Sequence, residues 1–377
     1  MGYTANEIRN ICLLGHGGDG KSALCESMLF TTKSITRLGK RADGTTVSDF
    51  DDEEKKRQYS ISTSVIPVEY NKCKINVLDN PGYFDFAGQI VQSLRVVDAG
   101  LICVTAKSGI GVGTEKGWKY LAKANLPAMF YVSKLDEEHA NYFGTVDSLR
   151  STFGNTVIPF VFPILNGDAA VGVVDLLAKK AYDASGKEIA LPADAEEKIE
   201  EYMMELNEQI AETSEELMEK FFMEEPFTEE EILTGVKTGI RERTITPVFC
   251  GSAVNQQALD MLLFNMHKLL PSPEHEASTL AEDANGEPVE LHCTVDEPTA
   301  AYVFKTVADP FVGKLSYLRV VSGKVTAGEP LTNARTGDVE KISKPLTVIG
   351  KKQVDSDGII AGDIGAVAKL VSAKTGD

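Results

Sequence analysis

The stretch "GHGGDGKS" (residues 15–22) decides the fold. It fits the pattern G-x-x-x-x-G-K-[S/T], follows the apolar run "NICLLG" (10–15), and opens the helix-like segment "GKSALCESMLFTTK" (20–33). Glycines in such a loop let backbone N–H groups surround phosphates, and the helix N-terminus adds partial positive charge. In this pattern Lys21 reaches the β- and γ-phosphate oxygens, and Ser22 binds Mg²⁺. The stretch therefore predicts a nucleotide phosphate site, with a plain glycine-rich turn as the alternative.

A second stretch, "LDNPGY" (78–83), ends another strand-like run with an acidic residue and a Pro-Gly turn. A carboxylate at the end of a buried strand is costly unless a metal or hydrogen bonds compensate it. Beside a phosphate loop, Asp79 is suited to hold Mg²⁺, usually through water. Gly82 adds an N–H with little steric hindrance, which suits the γ-phosphate. The alternative is that Asp79 only caps the turn.

Two later fragments predict which base is bound. "SKLD" (133–136) and "GSA" (251–253) each end a strand-like run. A carboxylate at Asp136 can accept hydrogen bonds from N1–H and N2–H₂ of guanine, a pair that adenine does not offer. Lys134 would cover the face of the base, and an N–H near Ala253 would meet O6. The order of these fragments favours guanine over adenine, and an ATP-using phosphate-loop enzyme is the minor alternative.

The order of strand-like and helical runs along the chain indicates its domain organisation. Strand-like and helical runs alternate through about residue 165, as in an α/β layer with a mainly parallel sheet. Residues 166–246 interrupt the alternation with a helix-prone segment that we interpret as an insertion, and "ITPVFCGSA" (245–253) resumes the strand pattern. Short alternating strands with glycine-rich turns from about residue 290 predict a small β-barrel.

Composition and charge exclude several classes of protein. Hydrophobic residues make up 43% and charged residues 25% of the 377, as in a soluble globular protein, and no apolar run is long enough for a membrane span. The net charge of −18 argues against a freestanding nucleic-acid binder, so we expect no DNA partner. Residues 194–231 alone hold 16 acidic and 2 basic residues, whereas residues 301–377 hold 11 basic and 8 acidic ones. The scattered cysteines form no C-x-x-C pair, which favours buried thiols and a reducing cytoplasm.

Together these motifs resemble those of the translational GTPases, and specifically elongation factor G and its divergent relatives. The resemblance covers nearly the whole chain and includes "DNPGYFDF" (79–86), "TPVFCGSA" (246–253), "LLPSP" (269–273), "FKTVADPFVGKLSYLRVVSG" (304–323) and "AGDIGAVAKL" (361–370). It implies a P-loop NTPase G domain of α/β class with an inserted α+β subdomain, followed by a β-barrel domain. The implied boundaries are 1–165 and 247–275 for the G domain, 166–246 for the acidic insertion, 276–290 for a linker and 291–377 for the barrel.

The resemblance also implies a cytoplasmic, Mg²⁺-dependent GTP/GDP switch that acts on the ribosome, contacting rRNA and ribosomal proteins, with the insertion meeting the stalk proteins. The long polar span at residues 34–64 would contain the switch loop, and "RQYSIS" (57–62) aligns Ser60 with the family's metal-binding Thr. The implied metal ligands are Ser22, Ser60 and Asp79, and the implied catalytic residues are Lys21, Ser60 and Tyr83. The predicted nucleotide-binding residues are Gly15, His16, Gly17, Gly18, Asp19, Gly20, Lys21, Ser22, Ala23, Gly82, Ser133, Lys134, Asp136, Ser252 and Ala253.

The chain departs from the family pattern where catalysis is expected. Tyr83 stands where the family has the His that positions the attacking water, and a phenol with a pKa near 10 is a poor base at neutral pH. Ser133 replaces the family's Asn, and Gly18 replaces its Asp, with Asp19 one position later. We therefore expect slow or ribosome-stimulated GTP hydrolysis. The alternative hypothesis is a non-catalytic ribosome-binding module that responds to GTP.

Overall fold

Alternating strands and helices build the first part of the chain, seen here in a computed structural model that describes residues 2–275, 278–283, 285–310 and 312–377. The first sheet has the order β2-β3-β1-β4-β5-β11-β6, with β2 antiparallel to β3 and the other neighbours parallel. Its strands are β1 (Ile8–Leu14), β2 (Ser64–Tyr70), β3 (Cys73–Asp79), β4 (Ala99–Thr105), β5 (Ala128–Ser133), β6 (Val157–Pro159) and β11 (Thr246–Cys250). The predicted α/β class with a mainly parallel sheet is confirmed.

Helices cover this sheet and bury its apolar strands. They are α1 (Lys21–Thr31), α3 (Ala87–Leu94), α4 (Val112–Ala124), α5 (Tyr142–Phe153) and α9 (Leu259–Leu269). The short helix α2 (Asp52–Arg57) is largely exposed and belongs to the span between α1 and β2. Strands β1, β3, β4 and β5 are buried along their whole length, as expected of central strands in a sheet covered on both faces. The loops that follow the carboxyl ends of these strands meet at one edge of the sheet, where ligands bind in open α/β folds.

A second, antiparallel sheet and a group of helices lie between β6 and β11. The sheet has the order β10-β9-β8-β7, and its strands are β7 (Val161–Asn166), β8 (Ala169–Asp175), β9 (Lys180–Asp183) and β10 (Glu188–Ile189). The helices are α6 (Ala193–Ala211), α7 (Glu215–Phe222) and α8 (Glu229–Glu242). The apolar side of α6 packs inward, and its acidic residues face outward. Within the described ranges, no helix combines the length and apolarity needed to cross a membrane.

The remaining strands are short and antiparallel. The hairpin of β12 (Thr279–Glu282) and β13 (Pro288–Leu291) falls largely within the predicted linker 276–290, of which residues 276, 277 and 284 lie outside the described part. A further sheet has the order β14-β15-β22-β19-β20. The strands from here on are β14 (Ala300–Asp309), β15 (Gly313–Ser322), β16 (Lys324–Val325), β17 (Pro330–Thr332), β18 (Val339–Lys341), β19 (Pro345–Ile349), β20 (Lys352–Asp355), β21 (Ile359–Ile360) and β22 (Ile364–Ala368). This region, which we call the β-domain, is the antiparallel β-rich part that the sequence predicts.

Buried polar groups join the β-domain to the first sheet. Lys74 of β3 pairs with the Asp363 carboxylate at 2.8 Å, and Arg319 of β15 pairs with Asp98 at 2.6 Å. The side-chain amide of Asn10 in β1 donates to Asp98 and to the Gly362 carbonyl, both at 2.8 Å. Such directional contacts specify the geometry in which the two parts meet, because each buried charge needs its own partner.

Candidate nucleotide site

The phosphate loop turns from β1 into α1 through glycines with positive φ. Gly15, Gly18 and Gly20 have φ values of +133°, +96° and +89°, a region that residues with a side chain rarely adopt. Gly20 is the N-cap of α1, so Lys21 and Ser22 are the first residues of the helix. The loop borders a cavity of about 110 Å³ at the carboxyl edge of the sheet, which we call the phosphate cavity.

The Lys21 ammonium is folded back inside this loop. Its Nζ donates hydrogen bonds to the carbonyls of Gly15 (3.1 Å) and His16 (2.8 Å). The side chain is buried, and burial lowers the pKa of Lys21. A buried cation held by neutral carbonyls favours an anion in the adjoining cavity, because the anion supplies the missing countercharge. His16 takes part here through its backbone, since its N–H also donates to Asp19 Oδ2 at 2.6 Å.

The Asp79 carboxylate supplies the observation that tests a metal site. Asp79 is 1% exposed, and burial together with the nearby Asp49 carboxylate raises its pKa. The Ser22 hydroxyl is near enough to lower this pKa, but no described group makes a hydrogen bond of normal geometry to either carboxylate oxygen. The hydroxyls of Ser22 and Ser60 lie 3.2 Å apart beside it. Carboxylate and hydroxyl oxygens are the ligands that Mg²⁺ prefers, so the predicted metal-binding residues fit the ion.

Two residues that the sequence patterns did not reveal complete this cluster. The Arg41 guanidinium donates through Nη2 to Ser22 Oγ (2.7 Å) and Ser60 Oγ (3.4 Å), and through Nε to Asp49 Oδ2 (2.8 Å). Asp49 also accepts a hydrogen bond from Ser60 Oγ at 2.6 Å. Both residues belong to the long polar span between α1 and β2, whose lack of a hydrophobic period gave no signal for them.

The turn after β3 brings Gly82 and Tyr83 against the phosphate loop. A Cβ on Gly82 would lie 2.6 Å from Lys21 Nζ and 2.7 Å from the Gly17 amide nitrogen, so only glycine fits here. The Tyr83 ring lies over Gly17 and packs against Tyr59, with 4.7 Å between ring centroids. Tyr83 is 43% exposed, and it lines the phosphate cavity together with Tyr59.

A second cavity of about 470 Å³ adjoins the first, and we call it the base cavity. Its lining is mostly apolar. It is formed by Gly18, Gly20, Ala23, Ser27, Leu38, Gly39, Lys40, Arg41, Ala42, Thr46, Lys134, Ala253 and Val254. Its volume lies within the range of small-molecule sites. Lys134 and Ala253 therefore face a common space with the phosphate loop, although they come from widely separated parts of the chain.

Other predicted residues support the cavities without lining them. The Ser133 hydroxyl donates to the Asp19 carbonyl (2.9 Å) and, at 3.3 Å, to that of Val104, and so ties β5 to the phosphate loop. Ser252 is buried and accepts a hydrogen bond from the Asn255 N–H at its hydroxyl. Asp136 is exposed next to Lys134 and lines neither cavity.

Comparison with known proteins decides the family. The family model described as the elongation factor Tu GTP binding domain matches residues 6–272. The model described as elongation factor G domain 2 matches residues 298–377. The chain belongs to the elongation factor G-like translational GTPases. This family membership confirms the resemblance seen in the sequence and means that the chain carries a guanine-nucleotide-binding domain.

A solved structure supports the same family assignment. A crystal structure of a protein from Thermus thermophilus is similar, with a TM-score of 0.88 and 30% sequence identity. The match covers 98% of this chain and 54% of the Thermus protein. This member of the elongation factor G-like GTPases therefore spans about half the length of that relative.

The predicted switch loop, residues 34–64, is held in place by carboxylates that no motif indicated. Glu26 of α1 accepts hydrogen bonds from the backbone N–H groups of Gly39 and Val47, both at 2.9 Å. Glu54 of α2 accepts from the N–H groups of Ile61 (3.0 Å) and Ser62 (3.2 Å). The predicted disorder of this loop in the absence of a γ-phosphate stays a prediction.

Proposed function

We propose that this chain binds GTP and GDP together with Mg²⁺ and serves as the nucleotide-binding part of a translation factor that acts on the ribosome in the cytoplasm. The proposal is carried by two buried charges at the phosphate loop: the Lys21 cation, which lines the phosphate cavity, and the Asp79 carboxylate, whose oxygens have no hydrogen-bond partner among the described residues. A nucleotide phosphate with Mg²⁺ satisfies both charges at once. The apolar base cavity beside it supplies room for the nucleoside.

Ser22, Ser60 and Asp79 would hold the Mg²⁺, which would neutralise charge on the β- and γ-phosphate oxygens when bound. Lys21 would share this role from the other side of the phosphates. The backbone N–H groups of the phosphate loop and of Gly82 would orient the nucleotide, because the glycines leave them accessible.

Hydrolysis by this chain would be slow without an activator. Tyr83 occupies the predicted position of the water-orienting residue, but a phenol neither accepts a proton readily at neutral pH nor carries positive charge. A positioned acid–base group contributes roughly 10²–10⁴ in rate, and that contribution would be reduced here. In-line attack of water on the γ-phosphate would then depend on Lys21 and on positioning by the ribosome.

Guanine selectivity is tested by titration. We expect GDP to bind and ADP to compete poorly, because Asp136 would accept both guanine N–H groups while Lys134 covers the base. Asp136→Ala should weaken GDP binding by about tenfold or more. Glu138→Ala is the matched control, an exposed carboxylate two residues further on. GDP affinity that is unchanged by Asp136→Ala would remove the guanine assignment.

The ribosome is the expected partner because family members of this type are translation factors. The acidity of residues 194–231 argues against direct RNA contact by that part, so we propose that it meets the stalk proteins. Cosedimentation of the full-length protein with ribosomes, with a non-hydrolysable GTP analogue or GDP, tests the partner. Equal recovery with purified ribosomes and without them would contradict it.

A second candidate function is a non-catalytic module in which GTP acts only as an allosteric ligand. The packing of Tyr83 over Gly17 and against Tyr59 favours it, because the side chain at the water-orienting position is engaged in ring contacts. Multiple-turnover phosphate release by the full-length protein separates the two functions. Turnover that ribosomes stimulate and that Tyr83→Phe reduces would exclude the non-catalytic module, whereas nucleotide binding without turnover would favour it.

A further inference from the structure

The Arg41 side chain occupies the centre of the oxygen cluster that the proposed metal site needs. Its guanidinium donates to Ser22 Oγ at 2.7 Å and to Ser60 Oγ at 3.4 Å, and the same group pairs with Asp49 at 2.8 Å. Asp79 stands beside these groups with both oxygens unpartnered among the described residues. Arg41 thus holds the two hydroxyls that a divalent ion would require.

The charges of the cluster explain why a cation is found there. Asp49 and Asp79 are 3% and 1% exposed, and two buried carboxylates in one site repel each other unless a positive group lies between or beside them. The Arg41 guanidinium supplies this positive group, through its contacts with Asp49, Ser22 and Ser60. Without the guanidinium, the cluster would present two hydroxyls and two carboxylates, a set of hard oxygen donors.

We propose that Arg41 is an internal competitor of Mg²⁺: its guanidinium fills the cation position in the metal-free protein and must leave Ser22 and Ser60 before the ion binds. The inference rests on the proposed function, since it concerns the same metal site. It also assigns Asp49 a role, because this carboxylate holds the guanidinium in place and would stand beside the ion once Arg41 has moved.

The position of Arg41 allows such an exchange. The residue begins a short 3₁₀ turn, Arg41–Asp43, in the span between α1 and β2, and its side chain is 35% exposed. It lines both the phosphate cavity and the base cavity. A guanidinium released from the hydroxyls therefore has nucleotide phosphates within the same space as new anionic partners. Metal binding and rearrangement of this loop would then be a single coupled event.

Titration with Mn²⁺ as a spectroscopic substitute for Mg²⁺ tests the proposal. Free Mn²⁺ is followed by electron paramagnetic resonance in GDP-saturated wild-type protein, Arg41→Ala and Arg37→Ala. Arg37 is the matched control, because it is an exposed arginine of the same polar span and lines neither cavity. We expect Arg41→Ala to bind Mn²⁺ about tenfold more tightly, equivalent to about 1.4 kcal/mol, and Arg37→Ala to change the affinity less than about twofold. Arg41→Lys should fall between wild type and Arg41→Ala, because an ammonium lacks the planar fork.

The outcomes separate this inference from the proposed function. Unchanged or weaker Mn²⁺ affinity in Arg41→Ala would overturn the competitor role while leaving the metal site intact. Equal tightening in Arg37→Ala would overturn it as well, because the effect would then be one of general charge. Absence of Mn²⁺ binding in the wild type and in all three variants would refute the metal site itself, and the inference with it. Circular dichroism of each variant confirms that it is folded.

Discussion

Lys305→Met perturbs the contact between the β-domain and the predicted switch loop. Lys305 lies on β14 and is 7% exposed. Its Nζ donates hydrogen bonds to Ser62 Oγ at 2.6 Å and to the Thr63 carbonyl. Burial lowers the pKa of Lys305 to about 8 from its ordinary value of 10.5, against a smaller opposing effect of Glu54. The folded protein therefore holds this ammonium at a cost that the unfolded chain does not have.

The linkage between proton binding by Lys305 and folding gives the sign and size of the change in the free energy of unfolding with pH. Between pH 8 and 10.5 the unfolded chain keeps the proton that the folded protein has lost, so the free energy of unfolding rises with pH across this window. Each pKa unit corresponds to about 1.4 kcal/mol, so the full difference contributes about 3 kcal/mol. Below this window Lys305 is charged in both states, and the desolvation cost is fully present.

Urea unfolding followed by circular dichroism, at several values between about pH 7 and about pH 10.5, measures the effect. We expect the difference in free energy of unfolding, wild type minus Lys305→Met, to rise by about 3 kcal/mol over this range. Taking the difference cancels the groups that titrate alike in both proteins. Lys351→Met, which removes an exposed lysine from the same domain, should give a flat difference. A flat difference for Lys305→Met would refute the argument.

Three further changes test the nucleotide site. Gly82→Ala adds a methyl group 2.6 Å from Lys21 Nζ, so we expect a loss of about 1–3 kcal/mol in GDP binding by calorimetry, and an unchanged affinity would contradict the close packing. Asp79→Asn should make GDP affinity independent of Mg²⁺ and raise the stability of the nucleotide-free protein by about 1 kcal/mol or more, because a buried carboxylate is removed. Persisting Mg²⁺ dependence would exclude Asp79 from the metal site. Ser133→Ala leaves the Asp19 carbonyl without its 2.9 Å donor and should lower thermal stability by about 1–3 kcal/mol; a wild-type melting curve would refute that tie.

Matched controls exist for each of these changes. Gly88→Ala adds the same methyl group where no atom lies within 4 Å. Asp52→Asn neutralises a fully exposed carboxylate on α2. Ser148→Ala removes an exposed hydroxyl that donates to the Gly144 carbonyl. Gly88→Ala and Asp52→Asn should leave GDP affinity and its dependence on Mg²⁺ unchanged, and Ser148→Ala should leave the melting curve unchanged.

The parts of the site that could be predicted from the sequence are those that correspond to short sequence motifs. The phosphate loop needs glycines at fixed spacing before a helix, and the turn after β3 needs an acidic residue at a strand end. Both motifs could be predicted because each depends on the backbone conformation of a few neighbouring residues. The α/β class was also predictable, because the spacing of apolar residues along the chain distinguishes strands from helices.

Arg41 and Asp49 escaped prediction because their roles arise from contacts across the fold. Both lie in a polar span without a hydrophobic period. Arg41 gains its role from a contact with Ser22 of α1, and Asp49 gains its role from a contact with Ser60, at the far end of the same span. Lys305 is a similar case, since a lysine in an alternating strand normally faces solvent. Ser133 was predicted as a nucleotide-binding residue, and its bond to the backbone of the phosphate loop is a contact that the sequence pattern did not indicate.

The contacts between the β-domain and the start of β2 affect how the polar span can move. Gly350 donates its backbone N–H to the Val65 carbonyl at 3.1 Å, next to the residues that Lys305 holds. The carboxyl end of the polar span is thus held to a second domain, while its amino-terminal part is held to α1 by the Glu26 carboxylate and by the hydrogen bond from Arg41 to Ser22. A segment that is held more firmly at one end moves mainly at the other. Any opening of the polar span that admits a nucleotide should therefore start near Gly39 and move Arg41 outward, about the end held by the β-domain.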